Sequence, residues 1–154
     1  MNFIKVNTYE ELSTRAASII CGQVAMKPNC VLGLATGSSP LGAYKKIVEK
    51  NKAGEVDFSE VKSINLAEHV GLNCEHEQSY RYFMNNNLFK HININIDNTY
   101  VPNGCAADVE AECKAYDNLI ESLGGIDLQL LGIGYDGHIG FNEPADEFTN
   151  GSFK

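Results

Sequence analysis

No apolar run in this chain approaches the ~20 residues that a membrane-spanning helix requires, so a membrane protein built on such helices is excluded. Basic residues are also scarce. Twelve Lys and Arg stand against 20 Asp and Glu, a net charge of −8, which argues against sequence-independent nucleic-acid binding, since that affinity comes from clustered cations. Any anion must then be captured locally. Cys21, Cys30, Cys74, Cys105 and Cys113 form no C-x-x-C pair, so neither a disulfide framework nor a zinc ribbon is indicated and reduced thiols are expected. The start, Met1 to Val6, lacks the basic and apolar regions of a secretory signal, which favours the cytoplasm. Repeats at solenoid periods are missing, and so is a linker that would divide the chain. One α/β domain over residues 1–154 is the expectation.

What is present reads as alternating helices and strands. Thr8-Tyr9-Glu10-Glu11 fits a capping box, and Leu12, Ala16, Ile19 and Ile20 then predict the buried stripe of a helix that Pro28 ends. Cys30 to Ala35 is apolar on both faces, as a central parallel strand should be. A tight loop, Thr36-Gly37-Ser38-Ser39, leads into a helix from Leu41 to about Asn51, with Pro40 expected at its first position behind a Ser39 cap. Residues 62–66 predict a short strand. Ser79 to Phe89 predicts a helix with Tyr82, Phe83 and Leu88 inward, and Tyr100-Val101 a further extended piece. Val109, Cys113, Tyr116, Ile120 and Leu123 step by four, three, four and three along one helix face that Gly124-Gly125 ends, and Ile126 to Ile133 predicts a strand. This order implies a three-layer fold with a mostly parallel, Rossmann-like sheet flanked by helices, whose ligands bind beyond the carboxyl ends of the strands.

Three segments fall at such ends. In Thr36-Gly37-Ser38-Ser39 a glycine lets the backbone approach an anion and a helix N-terminus offers unpaired N–H groups; the same residues equally describe a plain tight turn. The spacing is not that of a Walker loop. Asn65 to Leu72 gathers polar residues after the second strand, where Glu68 and His69 suit acid–base work but also describe an ordinary exposed pair. Metal binding by His69, Cys74 and His76 is disfavoured, because H-E-x-x-H and finger spacings are missing. Asp136-Gly137-His138, with Glu143 five residues beyond His138, is the strongest: histidine titrates near neutrality, and flanking carboxylates can fix its tautomer and raise its basicity. The bland alternative is a Gly-rich turn bearing a surface histidine.

Taken together, the motifs resemble those of the glucosamine-6-phosphate deaminase family from near residue 2 to about residue 148. Leu32 to Pro40 is similar to that family's phosphate loop, Gly71-Leu72 with His76 to Tyr80 to its middle motif, and Gly137-His138-Ile139-Gly140-Phe141-Asn142-Glu143-Pro144 to its signature. The resemblance implies conversion of glucosamine 6-phosphate and water to fructose 6-phosphate and ammonia, without metal or organic cofactor. It implies a small sugar phosphate as partner and leaves a homo-oligomer open. Carried across, His138 is the ring-opening acid–base with Asp136 and Glu143 as carboxylate partners, and Gly37, Ser38 and Ser39 hold the phosphate.

Two departures qualify this expectation. The family's Asp-Glu-Tyr triplet reads Ala67-Glu68-His69, so the base that moves the proton between C2 and C1 is replaced by a methyl group. Such a loss removes about two to four orders of magnitude in rate, and activity is expected to be impaired or lost. Family members also continue past Lys154, so the fold is expected to be incomplete relative to theirs, whether the chain is a fragment, an altered form or a short natural relative. Tyr135 is larger than the family residue before Asp136. Two alternatives remain: a non-catalytic sugar-phosphate binder, and a 6-phosphogluconolactonase-like hydrolase, which shares the Asp-Gly-His core but not the Asn-Glu-Pro ending.

Overall fold

The computed structural model describes residues 1–142, 145 and 151–152. Its elements run α1 (Tyr9–Met26), β1 (Val31–Leu34), α2 (Leu41–Lys52), β2 (Lys62–Asn65), α3 (Tyr80–Asn87), β3 (Thr99–Tyr100), α4 (Val109–Ser122) and β4 (Leu128–Gln129), with two 3₁₀ turns before β3. The four strands form one parallel sheet in the order β3-β2-β1-β4, so β1 is central and fully buried. Leu32 and Leu34 face α1, α2 and α3, packing with Ile20, Val24, Tyr44, Ile47 and Met84, while Val31 and Ile64 face Tyr116 of α4. Alternate strand residues therefore feed two apolar layers, and the three-layer α/β expectation holds. No helix among the described residues is long and apolar enough to cross a membrane.

The helix starts follow local chemistry. Thr8 Oγ1 accepts from the Glu11 N–H at 3.1 Å, while the Glu11 carboxylate returns to the Asn7 N–H at 2.8 Å rather than to Thr8 itself. The expected stripe of α1, however, is displaced. Leu12 and Ile19 are 46% and 48% exposed, and the buried line is Ser13, Ala17, Ile20 and Val24. Small residues decide this: a Cβ on Gly42 would lie 2.1 Å from Ser13 Oγ, so α1 and α2 approach through their smallest side chains.

Two further expectations are corrected. Pro40 is the N-cap of α2, not its first helical residue, and Ser39 makes no side-chain cap. The β4 strand covers two residues, with Leu130 N–H adding one more bond to the Gly33 carbonyl; Leu131 and Ile133 are exposed. Gly33 leaves room for the Gln129 side-chain amide of the adjoining strand, which a Cβ there would displace.

Candidate functional site

Parallel strands bring the loops after β1, β2 and β4 to one edge of the sheet. The first is tied down by two tyrosines that pattern reading had not singled out. Tyr44, fully buried in α2, accepts from the Ala35 N–H at 3.1 Å and donates to the Ala35 carbonyl. Burial pushes its hydroxyl far above the ordinary tyrosine range, so it keeps its proton. Tyr9, at the start of α1, accepts from the Gly42 N–H at 2.9 Å and points its hydroxyl at the carbonyls of Ser39, 2.9 Å, and Ser38, 3.3 Å. This is why Ser39 is not needed as a cap. Gly37 takes φ +95°, a region that favours glycine, and Gly37, Ser38 and Ser39 are all exposed. Tyr9, Ser38, Ser39, Leu41, Gly42 and Lys45 line an adjoining surface recess of about 540 Å³.

The second loop starts at Asn65, whose side-chain amide donates to the Leu34 carbonyl at 2.9 Å and whose own carbonyl accepts from Tyr116 Oη at 2.8 Å. The ends of β1 and β2 are thereby tied together and to α4. Ala67 is half-buried, and beside it Glu68 has a structural task. Its carboxylate accepts from the Ser79 hydroxyl at 2.7 Å and from the Tyr80, Arg81 and His69 N–H groups at 2.9, 3.1 and 2.8 Å. Burial raises its pKa, but these hydrogen bonds outweigh that and hold it below the usual carboxylate value. A carboxylate so occupied at the N-terminus of α3 is a poor proton acceptor.

The third loop begins just after β4. Gly134 and Gly137 make a tight turn, Gly134 N–H to the His138 carbonyl at 2.8 Å and Gly137 N–H to the Gly134 carbonyl at 3.0 Å. A Cβ at Gly134 would lie 2.2 Å from the His138 ring, so glycine leaves the imidazole its place. His138 Nδ1 sits 2.6 Å from Asp136 Oδ1, and the His138 amide donates to the same oxygen at 3.2 Å. Those contacts hold the Asp136 carboxyl below its usual range. An ionised carboxylate only accepts, so Nδ1 carries a proton and, in the neutral ring, Nε2 is the nitrogen with the lone pair. Glu143 lies outside the described residues.

Aromatic contacts join the second and third loops. His69 lies 4.6 Å from Tyr80 and 6.2 Å from Phe141, centroid to centroid, and Tyr80 stacks on Phe141 at 6.2 Å. The structure thus gathers Gly37, Ser38, Ser39, Ala67, Asp136 and His138 along one sheet edge. Among the described residues no group of three or more His, Cys, Asp or Glu side chains forms a metal cluster.

The comparisons with known proteins agree with this fold. A family model for glucosamine-6-phosphate isomerases/6-phosphogluconolactonase matches residues 5–140. The chain belongs to that family. A glucosamine-6-phosphate deaminase of Lachnoclostridium phytofermentans is 61% identical over 96% of this chain and 63% of its own length, and one of a Geobacillus strain 56% identical over 97% and 59%. A solved monomeric glucosamine-6-phosphate deaminase superposes with a TM-score of 0.93 at 44% identity, covering 96% of this chain and 61% of that one. The 6-phosphogluconolactonase of Thermotoga maritima matches with a TM-score of 0.74 at 21% identity, a likeness of fold alone. The chain spans about three-fifths of the length of the curated relatives it matches.

Proposed function

We propose that this chain carries the phosphate-binding and ring-opening parts of a glucosamine-6-phosphate deaminase, with the isomerising step disabled at Ala67. The observation that carries the reading is the pairing of His138 Nδ1 with Asp136, which leaves Nε2 as a base at the sheet edge shared with the exposed Gly37-Ser38-Ser39 loop. The deaminases cited above support the choice of substrate.

In this reading the 6-phosphate rests on the N–H and hydroxyl groups of residues 37–39, where no desolvated cation is needed to begin capture. His138 Nε2 takes the proton of the anomeric hydroxyl and returns one to the ring oxygen as the C1–O5 bond breaks, with Asp136 stabilising the imidazolium between the two transfers. Glu143 stands as the second carboxylate of that group. Moving the C2 proton to C1, with a proton lost from the amine and one gained at O1, would give a 2-imine that water hydrolyses to fructose 6-phosphate and ammonia. That transfer needs a base at position 67. Ala67 has none, and Glu68 is committed to the start of α3.

The test is Ala67→Asp followed by ammonia release from glucosamine 6-phosphate. A rise of about 10²-fold or more over the unsubstituted chain is expected, and no rise would remove the role assigned to position 67. The lactonase reading is disfavoured, because the high-identity relatives are deaminases and the Asn142-Glu143-Pro144 ending resembles the deaminase signature.

A further inference from the structure

The loop after β1 has a tyrosine at each end, and only Tyr44 belongs to the element that follows the loop. Tyr9 comes from α1, 30 residues upstream of Ser39, and reaches three backbone groups at once. Its ring is 54% exposed, so packing alone does not account for its place. Its hydroxyl saturates the Gly42 N–H, one of the donors that the first turn of α2 would otherwise present to a ligand.

The effect on the loop follows from peptide geometry. In a planar trans peptide the carbonyl and the following N–H point in opposite directions. The Ser38 carbonyl faces Tyr9 at 3.3 Å and also accepts from the Leu41 N–H at 3.4 Å, so the Ser39 N–H points the other way. The next peptide, Ser39-Pro40, has no N–H, so its carbonyl can be bound by Tyr9 without diverting a donor. Among the described residues no protein group accepts from the Gly37, Ser38 or Ser39 N–H groups.

We propose that Tyr9 is a positioning residue for phosphate recognition: its hydroxyl sets the Ser38–Ser39 backbone so that the loop's free N–H groups converge on the anion. The inference rests on the sugar-phosphate reading above and adds to it a residue from outside the loop. In this role Tyr9 acts through the peptide units that it binds, although its side chain also lines the adjoining recess.

Tyr9→Phe removes only the oxygen. Calorimetry of both proteins with glucosamine 6-phosphate, with inorganic phosphate and with unphosphorylated glucosamine separates the possibilities. The variant is expected to bind the two phosphorylated probes roughly tenfold more weakly, the size of one lost polar contact, with no change for glucosamine. The Gly42 amide is expected to exchange its hydrogen faster in the variant while the circular dichroism spectrum is unchanged. Equal phosphate affinity in the two proteins would overturn the role of Tyr9 alone. No phosphate-dependent binding by the unsubstituted chain would overturn the sugar-phosphate reading and this inference with it. A variant that fails to fold would make Tyr9 a determinant of the fold and would also overturn the positioning role.

Discussion

The loop after β1 and the loop after β4 follow paired parallel strands, yet they are held in opposite ways. The first is fastened from outside itself, by Tyr44 at Ala35 and by Tyr9 at Ser38, Ser39 and Gly42. The second is fastened chiefly from within, by the Gly134 turn and the Asp136–His138 pair, with aromatic contacts from Phe141 to His69 and Tyr80. On the proposed reading, an anion at the first loop needs a fixed set of N–H donors, which distant tethers would supply, and a proton carrier at the third needs a fixed tautomer, which a carboxylate two residues away would supply. Loss of a tether should accordingly cost stability at the first loop and chemistry at the third.

The largest effect is expected from Tyr44→Phe. It leaves the N–H and carbonyl of Ala35 without their partner in a partly buried setting, which costs about 1–2 kcal/mol in chemical denaturation. A change below about 0.5 kcal/mol would mean that the first loop is not held from α2.

Glu68→Gln gives a smaller, pH-dependent effect. The folded-state pKa of Glu68 is lowered, so its contribution is present above its ordinary value of about 4.5 and is lost as pH falls through the lower folded value. About 0.5–1 kcal/mol is expected at neutral pH, discounted for partial solvent screening, with the two proteins converging in acid. A constant difference from pH 7 to pH 3 would contradict the capping role.

Asp136→Asn should be smallest in stability, with the denaturation midpoint unchanged, because the pair is exposed. Its consequence is chemical. The His138 ring loses its fixed tautomer, seen by ¹⁵N NMR as a shift from Nδ1–H toward a mixture. A large drop in the midpoint would erase the contrast between the two loops.

These outcomes bear on how far sequence could be read. Thr8, with Glu11 three residues on, announced the start of α1 because capping is local chemistry. The heptad-like steps from Val109 to Leu123 located α4 and put Tyr116 inside, because one helix face was apolar and the rest was not. The α1 stripe was misjudged because Ser13 and Ala17 look unremarkable until Gly42 of another helix lies against them. The β4 strand was overrun because apolarity continues through Leu131 and Ile133 while the ladder does not.

The candidate site shows the same division. The glycine turn at Gly37 and the pairing of Asp136 with His138 were legible because each joins near neighbours in the chain; the roles proposed for Gly37, Ser38, Ser39, Asp136 and His138 rest on the proposed function. The task of Glu68 and the tethers from Tyr9 and Tyr44 join residues 9–33 positions apart, and no local pattern marks such pairs. A glycine at the first turn of a helix, Gly42, was the one hint that another group comes close there.

On the proposed reading, residues 37–39 hold the sugar phosphate while position 67 offers no isomerising base. Proton NMR of glucosamine 6-phosphate in D₂O with this chain tests both together, since binding broadens the sugar resonances and isomerisation washes out the C2 proton. Broadening that inorganic phosphate reverses is expected, with the C2 signal retained, and washout only after Ala67→Asp. Washout of the C2 proton by the unsubstituted chain would contradict that reading.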